Sequence, residues 1–175
     1  MHYNRNFVWV HKRTGAKRLT PPVQDKAGQD YIRFDSEFES KVYEVLHSLC
    51  STVPYCLVRQ LKLPLSSQTR FIHPVRGMCW RVDFALYHEM HSEEYVREFP
   101  HKCAAFIEAK GQVSRDFYLT LALLPPEFAE NLFIACCDKK GIDAIRRHLD
   151  GNAPQDFVVH RLDLREALVR AVLQE

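Results

Sequence analysis

No apolar run in this 175-residue chain approaches the roughly 18 to 20 residues that a membrane-spanning helix needs, and the N-terminus has no signal-peptide hydrophobic stretch. These absences predict a soluble intracellular protein with no membrane partner, cytoplasmic or, in a eukaryote, nuclear. Cysteine pairing signals are missing too. The six cysteines, at 50, 56, 79, 103, 136 and 137, make no Cys-x-x-Cys motif and no regular spacing, and four lie in apolar surroundings where Cys acts as a small buried hydrophobe. A reducing compartment follows. His88-Glu89-Met90-His91 lacks the spacing of a His-Glu-x-x-His zinc motif and reads as a polar turn, while Cys136 and Cys137 would point to opposite faces of a strand and read as core and near-core residues. There is no internal repeat and no low-complexity block. With 46% apolar residues, the length suits one compact domain and leaves no room for a second large one.

A large net charge is also lacking: +2 is too small to argue for a polyanion partner. Its distribution says more. Residues 1–33 carry seven Lys or Arg against two Asp, a net +5 that leaves −3 for the remainder. Within that segment Lys12, Arg13, Lys17 and Arg18 form a basic run that suits a mobile arm lying along phosphates, where cations gain by releasing condensed counterions, or simply a solvated tail. Residues 1–33 are therefore expected to be a basic arm and linker, with an aromatic patch (Phe7 to Val10) that could be a short strand, and residues 34–175 the folded domain.

Periodicity supplies the elements of that domain. Phe38, Val42, Val45, Leu46 and Leu49 recur at helical spacing after Asp35 or Ser36 as N-cap, predicting about four turns of helix. Leu57 to Leu65 alternates, with Leu57, Arg59, Leu61 and Leu63 on one face, and reads as a strand ending at Pro64. A basic connection with Arg70, His73, Arg76 and Gly77 leads to a strand over Trp80 to Leu86. Residues 87–102 are expected to be an exposed hairpin turn, followed by a strand over Ala104 to Ala109 that Gly111 ends. Residues 115–131 predict a helix interrupted at Pro125-Pro126, Asn131 to Cys137 a buried strand, and Gly141 to Leu149 a helix beginning near Asp143. Phe157 to Leu162 and Leu164 to Leu173 predict a last strand and helix. The order describes an α/β fold, a mixed sheet flanked by helices.

Three stretches carry chemistry in chain order: Ser36-Glu37-Phe38-Glu39 on the first helix, Arg81-Val82-Asp83 on a strand, and Glu108-Ala109-Lys110 on the next. Side chains two apart on a strand share a face, so Glu108 and Lys110 project together while Ile107 and Ala109 turn into packing. If the two strands pair at about 4.8 Å, Asp83 brings a second carboxylate close enough to chelate a divalent ion with Glu108. Such an ion neutralises charge developing on a phosphate and favours hydroxide formation, while a lysine beside it orients water or stabilises the transition state. An exposed ion pair on a sheet face is the plain alternative for Glu108 and Lys110. Glu39 fits both a metal ligand and the far end of a capping box with Ser36, and Glu37 and Glu44 are the other acidic candidates on that helix. Gln112, Ser114 and Arg115, just past the Glu-x-Lys strand, are candidate phosphate contacts, as are Arg70, Arg76 and Arg81, of which Arg81 shares the face of Asp83.

The order of an acidic helix, Val82-Asp83-Phe84 and Ile107-Glu108-Ala109-Lys110-Gly111 resembles the core of the PD-(D/E)xK nuclease superfamily, over roughly residues 34–140. Within it, the run Phe34-Asp35-Ser36-Glu37-Phe38-Glu39 followed by Gln60 on a strand is most similar to phage endonuclease I, related Holliday-junction resolvases and the end-cleaving nuclease subunit of some transposons. The resemblance implies a restriction-endonuclease-like fold and catalytic Glu39, Asp83, Glu108 and Lys110. It further implies metal ligation by Asp83, Glu108 and Glu39, and Gln60 near the site. Asp83 is preceded by Val82 rather than Pro, and the span from Asp83 to Glu108 is unusually long. The function so implied is a Mg²⁺-dependent DNA endonuclease, with Mn²⁺ able to substitute, leaving a 5′-phosphate and selecting branched DNA by structure. A homodimer is expected, with the Phe7 to Val10 patch a candidate interface. Alternatives are a transposon-type nuclease with protein partners and a non-catalytic DNA-binding module on the same fold.

Overall fold

The computed structural model describes residues 7–21, 30–65, 79–89, 92–149 and 157–172. Arg70, His73, Arg76 and Gly77 lie outside them, as do Met90 and His91. Two sheets form. A small antiparallel one has the order β2-β1-β3, from β1 (Val8–His11), β2 (Lys17–Arg18) and β3 (Tyr31–Phe34). The main sheet has five strands in sequential order, β4 (Cys56–Pro64), β5 (Cys79–Tyr87), β6 (Ala105–Lys110), β7 (Leu132–Cys136) and β8 (Val158–His160). The first two pairings are antiparallel and the last two parallel, so the sheet is mixed.

Helices cover both faces of that sheet. Helix α1 (Glu37–Cys50) and α6 (Leu164–Val172) pack on one face together with β1 and β3, burying Val8, Val10, Phe34, Val42, Leu46, Leu49, Phe84, Ile107, Phe133 and Leu168 in one cluster. On the opposite face α3 (Arg115–Leu123), α4 (Pro126–Ala129) and α5 (Lys139–Leu149) bury Phe117, Phe128, Ile145 and Leu149 against Leu61, Leu63, Val82, Ala85, Phe106 and Ile134. The interior strand β7 is buried along its whole length, as a parallel strand covered on both faces must be. No helix among the described residues is long and apolar enough to cross a membrane.

Several expectations are corrected. The mobile basic arm is, over residues 8–18, a β-hairpin: β1 pairs with β3 over four residues, and Val8 and Val10 are buried. Two residues of the Phe7 to Val10 patch are thereby committed to the chain's own core and are not free for a dimer interface. The hairpin turn expected over 87–102 contains α2 (Glu93–Glu98), capped by Ser92, whose side chain accepts from the Tyr95 amide. Helix α5 starts at Lys139, four residues before Asp143, because Asp138 Oδ1 accepts from the Gly141 amide and fills the capping role. Cys137 is exposed rather than near-core; Cys136 is fully buried.

The alternation expected along β4 also fails, at one residue. Leu57 and Arg59 face α1, yet Leu61 and Leu63 pack in the cluster on the other face. The switch occurs at Gln60, whose φ of 56° is the left-handed conformation that non-glycine residues seldom adopt. Its neighbour β5 switches phase opposite it. Trp80 and Val82 lie toward the α3 side but Phe84 and Leu86 toward α1, so Asp83 and Phe84 both fall on the α1 side. The pairing register is kept through the switch, Arg59 opposite Phe84 and Leu61 opposite Val82, so Gln60 stands opposite Asp83.

Candidate active site

The phase switch makes sense beside a second irregularity. The ladder between β5 and β6 holds only from Leu86↔Ala105 to Phe84↔Ile107, after which the strands part. Side chains take over the backbone groups left open at this fork: the Asp83 amide donates to Glu108 Oε2 at 3.2 Å, and the Ala109 amide donates to Asp83 Oδ2 at 2.9 Å. Asp83 and Glu108 are thus each bonded to the other's strand. Satisfying buried backbone donors with carboxylates is stabilising, and it fixes both acids in the gap.

Glu39 approaches the same place from α1. Ser36 caps the helix by accepting from the Glu39 amide at 3.0 Å, while Glu39 Oε2 accepts from the Asp35 amide at 2.9 Å, one residue before the partner a capping box would use. Its Oε1 faces the sheet, 3.5 Å from Gln60 Nε2 and 3.7 Å from Arg59 Nη2. Gln60 Nε2 is also 3.5 Å from Asp83 Oδ1, so one amide stands between the two carboxylates. Of the alternatives on α1, Glu37 pairs with Lys41 at 2.7 Å and Glu44 with Lys17 at 2.9 Å, both on the outer surface.

Lys110 is bonded to Glu108 Oε1, and its ammonium lies 4.5 Å from the centre of the Phe117 ring on the α3 side. Arg59 was not among the expected site residues. Its guanidinium stacks 4.2 Å from the Phe34 ring centre and donates to the Arg33 carbonyl, and its Nε is buried without a hydrogen-bond partner among the described residues. The signal was present: an arginine on the same face as Leu57, in a strand packed under a helix, has to find a carboxylate or an aromatic face.

The electrostatics are those of acids crowded out of water. Burial, then the Asp83 carboxylate, pushes Glu39 up to about 7, and burial, then the Glu108 carboxylate, pushes Asp83 up to about 7. Burial also raises Glu108, against the opposing pull of Lys110. Glu39 and Glu108 are, with Ser40, the buried polar residues of the described chain. Comparison of the chain with family models, with curated proteins and with solved structures finds no match.

The other expected contacts are scattered around this centre. Gln112, Ser114 and Arg115 are exposed next to Gly111, with Ser114 occupied as the cap of α3 through the Phe117 amide. Arg81 is exposed on β5, two residues from Asp83. On the hairpin, Lys17 is paired with Glu44, Arg18 lies 5.7 Å from the Tyr31 ring centre, and Lys12 and Arg13 are exposed. Among the described residues no group of three or more His, Cys, Asp and Glu side chains is gathered closely enough to hold a metal ion. Both Glu108 oxygens, Asp83 Oδ2 and Glu39 Oε2 are each turned to a protein donor, which leaves Asp83 Oδ1 and Glu39 Oε1 facing Gln60.

Proposed function

We propose that the chain is a Mg²⁺-dependent DNA endonuclease with a restriction-endonuclease-like core, cutting phosphodiester bonds at Glu39, Asp83, Glu108 and Lys110. The observation that carries this is the fork between β5 and β6, where Asp83 and Glu108 each bond the other's strand and Glu39 reaches Asp83 through the Gln60 amide, with Arg59 and Lys110 alongside. Perturbed acids gathered at a break in regular structure are more characteristic of a working site than of a structural ion pair. The donor set suits a hard divalent cation: when all three acids are ionised, Arg59 and Lys110 leave one negative charge uncompensated, and oxygen ligands are what Mg²⁺ selects. Asp83 and Glu108 would hold the ion, Glu108 by giving up its bond to Lys110 or to the Asp83 amide, and Glu39 would complete the set, with Mn²⁺ an acceptable substitute. Once bound, the ion would supply positive charge against the phosphate and lower the cost of deprotonating a water.

The chain's own groups do the rest by position. Glu108 holds the Lys110 ammonium at the mouth of the fork, where it can orient water or stabilise charge on the phosphate. Arg59 keeps Glu39 aimed at the sheet. Gln112, Ser114 and Arg115 are exposed just after Gly111 and suit contacts to the DNA backbone, as do the exposed cations of the β1–β2 hairpin. DNA structure rather than sequence is the proposed determinant of cutting, and a homodimer the proposed assembly, since a branched junction requires two symmetric cuts.

Incubating the purified protein with a branched junction, linear duplex and single strand, in Mg²⁺ and in Ca²⁺, tests this directly. Junction cutting should require Mg²⁺ and be lost in Lys110→Ala, with circular dichroism unchanged. Equal cutting by wild type and variant would remove Lys110 from the mechanism, and no cutting of any substrate by the wild type would remove the activity.

A further inference from the structure

We infer that Lys62 and Arg81 form a phosphate clamp beside the candidate active site, seating a phosphate next to the one that is cut; this rests on the nuclease reading and specifies how the substrate strand is held. The two residues are directly opposite one another on β4 and β5. Past the phase switch, Leu61, Leu63, Trp80 and Val82 pack toward α3, so the intervening Lys62 and Arg81 project from the other face, the one that carries α1 and Asp83. Helix α1 begins at Glu37, with Glu39 over the fork, and Lys62 and Arg81 lie past this end of the helix, both exposed. Both strands run on past them, β4 to Pro64 and β5 back to Cys79.

Two like charges facing each other across a ladder destabilise a sheet, and such pairs are usually relieved by a nearby acid. Among the described residues none relieves this one: neither side chain has an ion-pair or hydrogen-bond partner there. The nearest acids are engaged at the fork, and Asp35 is with Arg33 at 3.8 Å. An arrangement costly by itself becomes favourable when the negative charge of a phosphodiester lies between the two cations. Arg81 offers a planar fork for two phosphate oxygens and Lys62 a mobile point charge. Each is two residues from the fork, Lys62 from Gln60 and Arg81 from Asp83, a distance of about 6.6 Å along a strand. That is comparable with the separation of successive phosphates on a nucleotide strand, so a phosphate at the fork brings its neighbour to the clamp.

The test uses the full chain and the double variant Lys62→Gln, Arg81→Gln in Ca²⁺, with binding of junction and duplex oligonucleotides read by fluorescence anisotropy across a salt series. The variant should bind about tenfold more weakly, with the slope of log affinity against log salt reduced by about one. A single neutral methylphosphonate, moved phosphate by phosphate along the strand, should weaken wild type at one position and leave the variant unaffected there. Thermal stability of the variant should be equal to or above wild type, since a repulsion has been removed. Unchanged affinity and slope, or equal sensitivity of both proteins to every methylphosphonate, would overturn the clamp. If wild type cuts DNA but this coupling is absent, the clamp alone fails. If the coupling is present and no Mg²⁺-dependent cutting occurs, the nuclease reading fails and the clamp stands.

Discussion

Raising the pH of the cation-free protein from 5 to 8 should lower its thermal stability, and the site carboxylates fix the sign. Glu39 moves from 4.5 to about 7 through burial and the Asp83 carboxylate, and Asp83 from 3.8 to about 7 through burial and Glu108. In the unfolded chain both ionise near their ordinary values, so between about pH 4 and pH 7 the folded state binds more protons than the unfolded state. Their stabilising contribution is therefore complete below that window and is lost as pH rises through about 7. For Glu39 the displacement corresponds to roughly 3 kcal/mol, and because the acids raise one another the pair gives less than twice this. At about 2 to 4 °C per kcal/mol for a domain of this size, Glu39 alone should lower Tm by about 6 to 12 °C, and Asp83 should add to this. Glu39→Gln, which imitates the protonated acid, should flatten the decline, and the difference between the two proteins isolates this group from the histidines. Ca²⁺ at a hundredfold excess over its dissociation constant should return about 2.7 kcal/mol at pH 8. It should return far less at pH 5, where protons hold the same oxygens. Scanning calorimetry reads all three effects. A Tm that is level or climbs from pH 5 to 8, identical in wild type and Glu39→Gln, would refute the charge-crowding account of the site.

Two further outcomes concern the scaffold. Gln60→Gly should stabilise the protein by about 1 kcal/mol in urea unfolding, because relief of a left-handed non-glycine residue, of order 1 to 3 kcal/mol, exceeds the roughly 0.5 to 1 kcal/mol entropic cost of glycine in a strand. Gln60→Val should be destabilising by a similar amount or more. Val10→Ala should cost about 2 kcal/mol, since the side chain is buried between β1 and α1. A neutral result would mean that β1 is detached from the domain in solution.

Much of this was legible in the residues. Helical spacing after Ser36 found α1 and its cap, and Glu-x-Lys at the end of an apolar run placed Glu108 and Lys110 together on β6, because these are properties of two or three neighbouring turns or pleats. The start of α5 is not legible in the sequence, because Asp143 lies nearer the apolar stripe than Asp138, the residue whose oxygen meets the Gly141 amide. The basic run was expected to be an arm because charge dominates its composition. Only pairing with β3, some twenty residues later in the chain, shows why Val8 and Val10 are apolar.

The sequence by itself determined the kinds of elements, their order and the three acidic stretches, since period and capping are local physics. The tertiary structure decided that Glu39, rather than Glu37 or Glu44, faces Gln60, that Arg59 accompanies it, and that Gln60 and Asp83 reverse the alternation of two strands at once. Those choices depend on which backbone groups lose their partners when β5 and β6 diverge, and that is settled by packing on both faces of the sheet rather than by any neighbouring residue.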